Sequence, residues 1–350
     1  LVEWMTLPLY VLTLVMLVAT WALGTGAGTA ASMKGWLTIA GVRLGQPSEL
    51  AKIAVVLMLA RVLAARRADK RFPLAAPPTR HAQLDGVPGY AEIGAMIAGD
   101  HELDAVSICT PPVGRQVIAM AAIDAGLHVM LEKPPAATTT EITALADHAR
   151  ARGVTPFATW HSREAAGIAA ARDWLRDKQI RAAHIRWKED IRRWHPGQEW
   201  ILEAGGFGVF DPGINALSIM TAILPTPLLL DSAAMDVPEG RSSPIAATMA
   251  MRSGDAAVDA DLDFLQTGPQ SWDIEVDTDA GILRLSMGGS VLALPGADPV
   301  TGEDREYPRL YTRFAELVAA GQSDVDIRPL QLVADAFLVA ERRTVAPFHF

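Results

Sequence analysis

A lysine follows directly on an apolar run in His128-Val129-Met130-Leu131-Glu132-Lys133-Pro134. Lysine is rarely buried unless it is paired. The proline behind it ends the strand and fixes the turn. At the carboxyl edge of a strand, where open α/β sheets receive ligands, such a lysine can act as an acid, a base or an electrostatic clamp. It can equally be a surface lysine at a strand end. Farther along, Asp211 and Asn215 stand at i and i+4. A helix starting near Pro212 turns both the same way, so that they can bracket one hydroxyl group. Asp211 can also cap that helix, just ahead of its proline.

The elements that must carry these residues alternate. From about Ala68 the pattern predicts a short strand at Phe72 to Ala76, weakened by Pro73, Pro77 and Pro78. Val87 to Tyr90, a helix around Glu92 to Ala98, and a strand Ala105 to Cys109 follow. Thr110-Pro111-Pro112 closes that strand. A helix Gly114 to Ala125, the strand His128 to Leu131, a helix Thr139 to Arg152 and a strand Thr155 to Ala158 complete the run. Strand and helix alternating at this pace predict an α/β fold with a parallel, Rossmann-type sheet. After Trp160 the pattern changes. A helix Glu164 to Lys178 precedes strand-like runs at 182–187, 228–235, 245–252, 257–264, 272–277, 282–286 and 291–294, joined by Gly/Asp/Ser turns. Those predict a largely antiparallel sheet. The ending PLQLVADAFLVAERR has helical periodicity and is expected to pack back on the first domain.

Composition narrows the function. Net charge is −9, which disfavours nucleic acid as a partner. The single cysteine, Cys109, excludes a disulfide framework and suits a reducing, cytoplasmic compartment for residues 68–350. No Cys/His cluster has metal-ligand spacing. Residues 1–67 differ from the rest. Leu7 to Leu23 is apolar without a charge, at the lower limit for a membrane span of roughly 17–25 residues. A second run, Ile53 to Ala65, ends at Arg66-Arg67, as the cytoplasmic end of a helix does. Membrane attachment through residues 7–65 is therefore an expectation. Gly24-Thr25-Gly26-Ala27-Gly28 imitates a dinucleotide loop, but the run before it is too long for a strand of about 5–6 residues. The ribose-reading residue expected about 20 residues on is missing as well. A membrane-edge loop is the better reading. A chain opening on Leu1 is expected to be a piece of a longer reading frame or a processed product.

Two family resemblances organise these observations. Lys34-Gly35-Trp36-Leu37 and Gln46-Pro47-Ser48-Glu49-Leu50-Ala51-Lys52 resemble a fragment of the SEDS (RodA/FtsW-type) membrane glycan polymerases, covering residues 1–67. That family's catalytic aspartate lies in a later loop with no counterpart here, which argues against polymerase activity. Ser107-Ile108-Cys109-Thr110-Pro111-Pro112 and Ala125-Gly126-Leu127-His128-Val129-Met130-Leu131-Glu132-Lys133-Pro134-Pro135-Ala136 resemble the Gfo/Idh/MocA family of NAD(P)-dependent oxidoreductases. The stretch from Trp187 to Ile219 is closer to the D-galactose and L-arabinose 1-dehydrogenase branch. This second resemblance runs from about Ala68 to the C-terminus. It implies a truncated dinucleotide-binding domain over 68–160. Over 161–350 it implies a substrate-binding domain whose open sheet face is often used for homo-oligomers.

The resemblance also implies roles. Lys133 would lie between nicotinamide and substrate, within a signature that includes Glu132 and Pro134. Many relatives pair an aspartate with a histidine four residues on. The position here is Asn215, as in the aldose-dehydrogenase branch. An amide does not titrate near neutral pH, so the base is Asp211, Lys133 or no strong base at all. His161, Glu189, Trp194 and Trp272 match positions that line the sugar pocket, although each could be core packing or a solvated charge. Thr110 and Pro111 would pass beneath the cofactor. Thr79-Arg80, a hydroxyl and a guanidinium with no acid beside them, suits a 2′-phosphate, which favours NADP over NAD. The family's first strand, Gly-x-Gly-x-x-Gly loop and first helix do not precede Phe72, so impaired cofactor binding is expected. The competing reading is a membrane-anchored, non-catalytic sugar-binding protein.

Overall fold

The computed structural model describes residues 90–99 and 102–350, with the backbone of short strands before them. The chain divides into two compact units, Leu1–His101 and Glu102–Phe350. In the first, β1 (Thr38–Ile39) pairs antiparallel with β2 (Val42–Arg43). β3 (Leu74–Ala75) pairs parallel with β4 (Gly89–Tyr90), ahead of the helix α1 (Ile93–Ile97). The apolar run Leu7 to Leu23, the glycine cluster at 24–28 and the Thr79-Arg80 pair lie outside the described residues. Among those described, no helix is long and apolar enough to cross a membrane, and no group of His, Cys, Asp and Glu could hold a metal ion.

The second unit begins with three parallel strands, β5 (Ala105–Ile108), β6 (His128–Leu131) and β7 (Pro156–Ala158), in that order across the sheet. The helices α2 (Arg115–Asp124) and α3 (Thr139–Arg152) form the crossovers. β6 and β7 are buried at nearly every position, as expected where helices cover a parallel sheet. Thr138 and Glu141 form a reciprocal cap at the start of α3, and Gly153 ends it at φ +70°.

Beyond Trp160 the expected helix is shorter than its pattern predicts. A 3-10 turn covers His161–Glu164, Ala165 is extended, and α4 runs only Ile168–Leu175. The break lies at Ala165, and just beyond it the Gly167 N–H donates to the Gly289 carbonyl at 2.9 Å, a bond outside the helix. Next come β8 (Ile180–Lys188), the single turn α5 (Ile191–Trp194) and α6 (Phe210–Ile223). The strands β9 (Leu228–Pro238), β10 (Ala246–Ser253), β11 (Ala256–Asp263), β12 (Ser271–Thr278), β13 (Gly281–Ser286), β14 (Val291–Ala293) and β15 (Val300–Thr301) follow. α7 (Glu306–Ala320), α8 (Arg328–Val339) and β16 (Glu341–Val345) end the chain.

One nine-stranded sheet holds these strands in the order β15-β14-β13-β12-β8-β11-β10-β9-β16. It is antiparallel except where β11 meets β8 and β16 meets β9. β11 shows how sequence sets its faces. Ala256, Val258, Ala260 and Leu262 are buried, while Ala257, Asp259 and Asp261 face out with the strand's period of two. The helix α6, mostly apolar, is buried along almost its whole length. It packs against α8, α4 and β8. The C-terminal helix is shorter than its periodicity suggests. Ala340 turns extended, and Glu341-Arg342-Arg343 joins the edge of the sheet beside β9. α8 itself lies against α6 and β9 and also touches α3 of the parallel layer.

Candidate active site

The carboxyl ends of β5 and β6 carry the two loops singled out in the sequence, and one buried arginine joins them. Arg115 opens α2, and its guanidinium donates to the carbonyls of Thr110, Glu132 and Pro134. Burial is the main influence on it and lowers its pKa to about 10, although the carboxylate of Glu132 works the other way. Three carbonyl acceptors are what make a cation tolerable there. An arginine just behind Gly114 reads in sequence as a solvated helix start, so this role had no local signal.

Across the site, α6 presents Asp211. The helix begins at Phe210, one residue ahead of Asp211, so the carboxylate is not an N-cap. It turns instead to Lys133, whose Nζ donates to Asp211 Oδ2 at 3.2 Å and to the Asp211 carbonyl at 3.0 Å. The surface-lysine alternative does not hold, since Lys133 is part-buried and paired. Asn215 is the one half-exposed residue between Phe210 and Thr221, so the helix shows only this amide at its open side. The i, i+4 spacing thus places Asp211 and Asn215 on one helix, as expected.

β8 and β12 supply the next wall. Glu189, directly after β8, is buried and accepts from Trp272 Nε1 at 2.8 Å. Trp272 starts β12 opposite Trp187, which brings its indole to the end of β8. Trp194 meets Trp272 edge to face, with centroids 5.3 Å apart, and remains 43% exposed. His195 was missed in the sequence, where it reads only as the neighbour of Trp194. Its Nε2 lies 3.7 Å from both Glu189 Oε1 and Asp211 Oδ2.

His161 connects to the Lys133 loop through α7. Its Nδ1 lies 2.6 Å from Glu306 Oε2, and its ring stacks on Tyr307 at 5.8 Å. Tyr307 donates to Glu132 Oε2 at 3.0 Å. Burial, followed by the adjacent Glu132 charge, pushes the Tyr307 phenol well above its ordinary value, so it stays a donor. Glu306 and Tyr307 stand 145 and 175 residues from their partners. No motif spacing could have flagged them.

The residues present fit the nicotinamide end of a dinucleotide. Among the described residues, Thr110 Oγ1 is buried without a hydrogen-bond partner, at the carboxyl end of β5. Thr110, Pro111, Glu132 and Lys133 occupy the sheet edge at which such cofactors bind. Of the cofactor residues expected from the sequence, Thr79 and Arg80 alone lie outside the described residues.

Comparisons with known proteins agree with this arrangement. A family model described as "Oxidoreductase family, NAD-binding Rossmann fold" (GFO_IDH_MocA) matches residues 61–159. The chain is 40% identical over 284 residues to a galactose 1-dehydrogenase of Pseudomonas fluorescens, spanning 81% of this chain and 92% of that protein. The chain belongs to the Gfo/Idh/MocA oxidoreductase family. Within it, the crystal structure of a D-galactose-1-dehydrogenase protein from Rhizobium etli is similar, with TM-score 0.75 and 45% identity over 84% of this chain and 94% of that one. A 3-ketoreductase from Actinomadura kijaniata, solved with NADP and TDP-benzene, shares the fold at TM-score 0.64 and 15% identity, over 82% of this chain and 87% of that one. Residues 2–83 match a second family model, FTSW_RODA_SPOVE, described as "Cell cycle protein". The two family matches overlap at 61–83. Both resemblances drawn from the sequence are thus found by comparison.

Proposed function

We propose that this Gfo/Idh/MocA oxidoreductase oxidises an aldose of the D-galactose or L-arabinose type at C1 to the lactone, with NADP preferred over NAD. The observation that carries the reading is the contact of Lys133 with Asp211, which brings a cation and a carboxylate to the cofactor edge of the sheet. Identity to two galactose dehydrogenases supports the substrate class. Thr79 and Arg80, two positions with no acid beside them, support the 2′-phosphate.

The bound cofactor would supply the acceptor for the C1 hydride. The chain's own residues do the rest. Lys133 holds the Asp211 carboxyl group in place through Oδ2. Asp211 takes the proton of the C1 hydroxyl. Asn215 donates to a neighbouring hydroxyl. Glu189 and His161 accept from sugar hydroxyls, while Trp272 and Trp194 offer apolar faces to sugar C–H groups. Glu132 and Tyr307 fix the loop that carries Lys133.

The test is NADPH formation on adding D-galactose or L-arabinose to the purified chain, with NAD in parallel. Saturable reduction with NADP favoured supports the proposal. No binding of NADP(H) by calorimetry defeats it, and tight binding defeats the expectation that the missing glycine loop weakens the cofactor site. We propose membrane attachment of the N-terminal segment on its apolar runs, Leu7 to Leu23 and Ile53 to Ala65. That is checked by fractionation without detergent. The outward face of the nine-stranded sheet is the proposed surface for a homo-oligomer.

A further inference from the structure

Each oxidation at C1 releases one proton: aldose and oxidised cofactor give lactone, reduced cofactor and H⁺. Asp211, the proposed acceptor, is shut away, with 6% of its side chain exposed. Lys133, as an ammonium, has no lone pair with which to take the proton on. Asn215 has an amide, which is not a base. Glu189 is as closed as Asp211, at 7%. Among the described groups near Asp211, His195 alone joins a basic nitrogen to solvent, with 20% of its side chain exposed.

We propose that His195 is the proton exit of this site, a positioning and relay residue that clears Asp211 after each turnover. This rests on the dehydrogenase reading above. Glu189 Oε1 and Asp211 Oδ2 flank the same nitrogen at 3.7 Å. Glu189 is itself held by Trp272. The carboxylate and the Phe264 ring, whose centre is 5.7 Å from that of His195, flank the imidazole that faces Asp211. The step balances. The proton from the C1 hydroxyl converts the Asp211 carboxylate to the acid, and the O–H bond of Asp211 breaks as an N–H bond forms at His195 Nε2. The Nδ1 proton then passes to water, and exchange of the remaining proton between the ring nitrogens resets the imidazole. A separation of 3.7 Å is longer than a hydrogen bond, and sites without substrate commonly show such lengths before they tighten.

The experiment is steady-state kinetics of His195→Gln in the full chain at low buffer concentration, with and without added imidazole. The relay predicts a fall in kcat on the order of 10²-fold with KM nearly unchanged, and recovery as imidazole rises. An unchanged kcat overturns the relay. So does a loss that imidazole leaves in place, and a raised KM with it makes His195 a sugar contact. His195→Asn is the second variant should the first not fold. If the wild type itself shows no sugar-dependent reduction, the dehydrogenase reading fails. If the wild type turns over and neither variant is impaired, only the relay fails.

Discussion

At the scale of single residues, the candidate site is an ion cluster centred on one carboxylate. Asp211 Oδ2 meets Lys133 Nζ and faces His195 Nε2. Asp211→Asn keeps the shape and removes both the negative charge and the base. We expect kcat to fall by about 10²–10⁴-fold, with the melting temperature little changed, read from NADPH formation beside a thermal melt. Lys133→Met should lose activity to a similar degree but also lower stability, because it leaves Asp211 buried without its cation. Lys133, Asp211 and Asn215 were legible in the sequence because a strand-end lysine and an i, i+4 pair are local patterns. His195 was not. Its partners come from the end of β8 and the start of α6, and only the folded arrangement brings them to one nitrogen.

At the scale of elements, two arginines organise the loops around the site. Arg115 ties the turn after β5 to the turn after β6 through three carbonyls. Arg115→Met should cost about 2–4 kcal/mol by leaving buried acceptors unpaired, measured by urea unfolding. It should also reduce kcat, because Lys133 sits between two of those carbonyls. Arg163, in the 3-10 turn that carries His161, donates to Ser218 and Thr221 of α6 and to Asp326 at the start of α8. Burial alone would raise the Asp326 carboxyl, but the hydrogen bond from Arg328 and the charge of Arg163 outweigh it and hold it down to about 2, from 3.8. A carboxyl depressed by folding gives stability that is whole above its unfolded value and is lost as pH falls through the folded one. Stability should therefore decline between pH 3.8 and about 2 by on the order of 1 kcal/mol through this group. The difference between wild-type and Asp326→Asn melts across that range checks it. The shortened α4 belongs to this scale as well. Helical periodicity from Glu164 onward carried no record of Gly289, whose carbonyl takes the Gly167 N–H just beyond the break at Ala165.

At the scale of the whole molecule, the alternation of strands and helices was readable before Trp160 and the succession of strands after it. Sheet order was not. β8 sits mid-sheet between β11 and β12, and no periodicity says which strands, so far apart in sequence, become neighbours. The final strand was hidden for a related reason: Glu341-Arg342-Arg343 looks like the tail of a helix until β9 offers it an edge. Residues 102–350 hold the three parallel strands, the nine-stranded sheet and every described site residue in one compact unit. A chain limited to them should unfold cooperatively in urea, and a broad, non-cooperative transition would refute that self-sufficiency.

The reach of α7 sets an order of events in time. Glu306 and Tyr307 secure His161 and Glu132 from 145 and 175 residues away. Contacts of such separation are slow to close. In refolding, helical and sheet signals should return before turnover does, with activity the last property to recover. On the ribosome, the pocket could not be finished until nearly the whole chain had emerged.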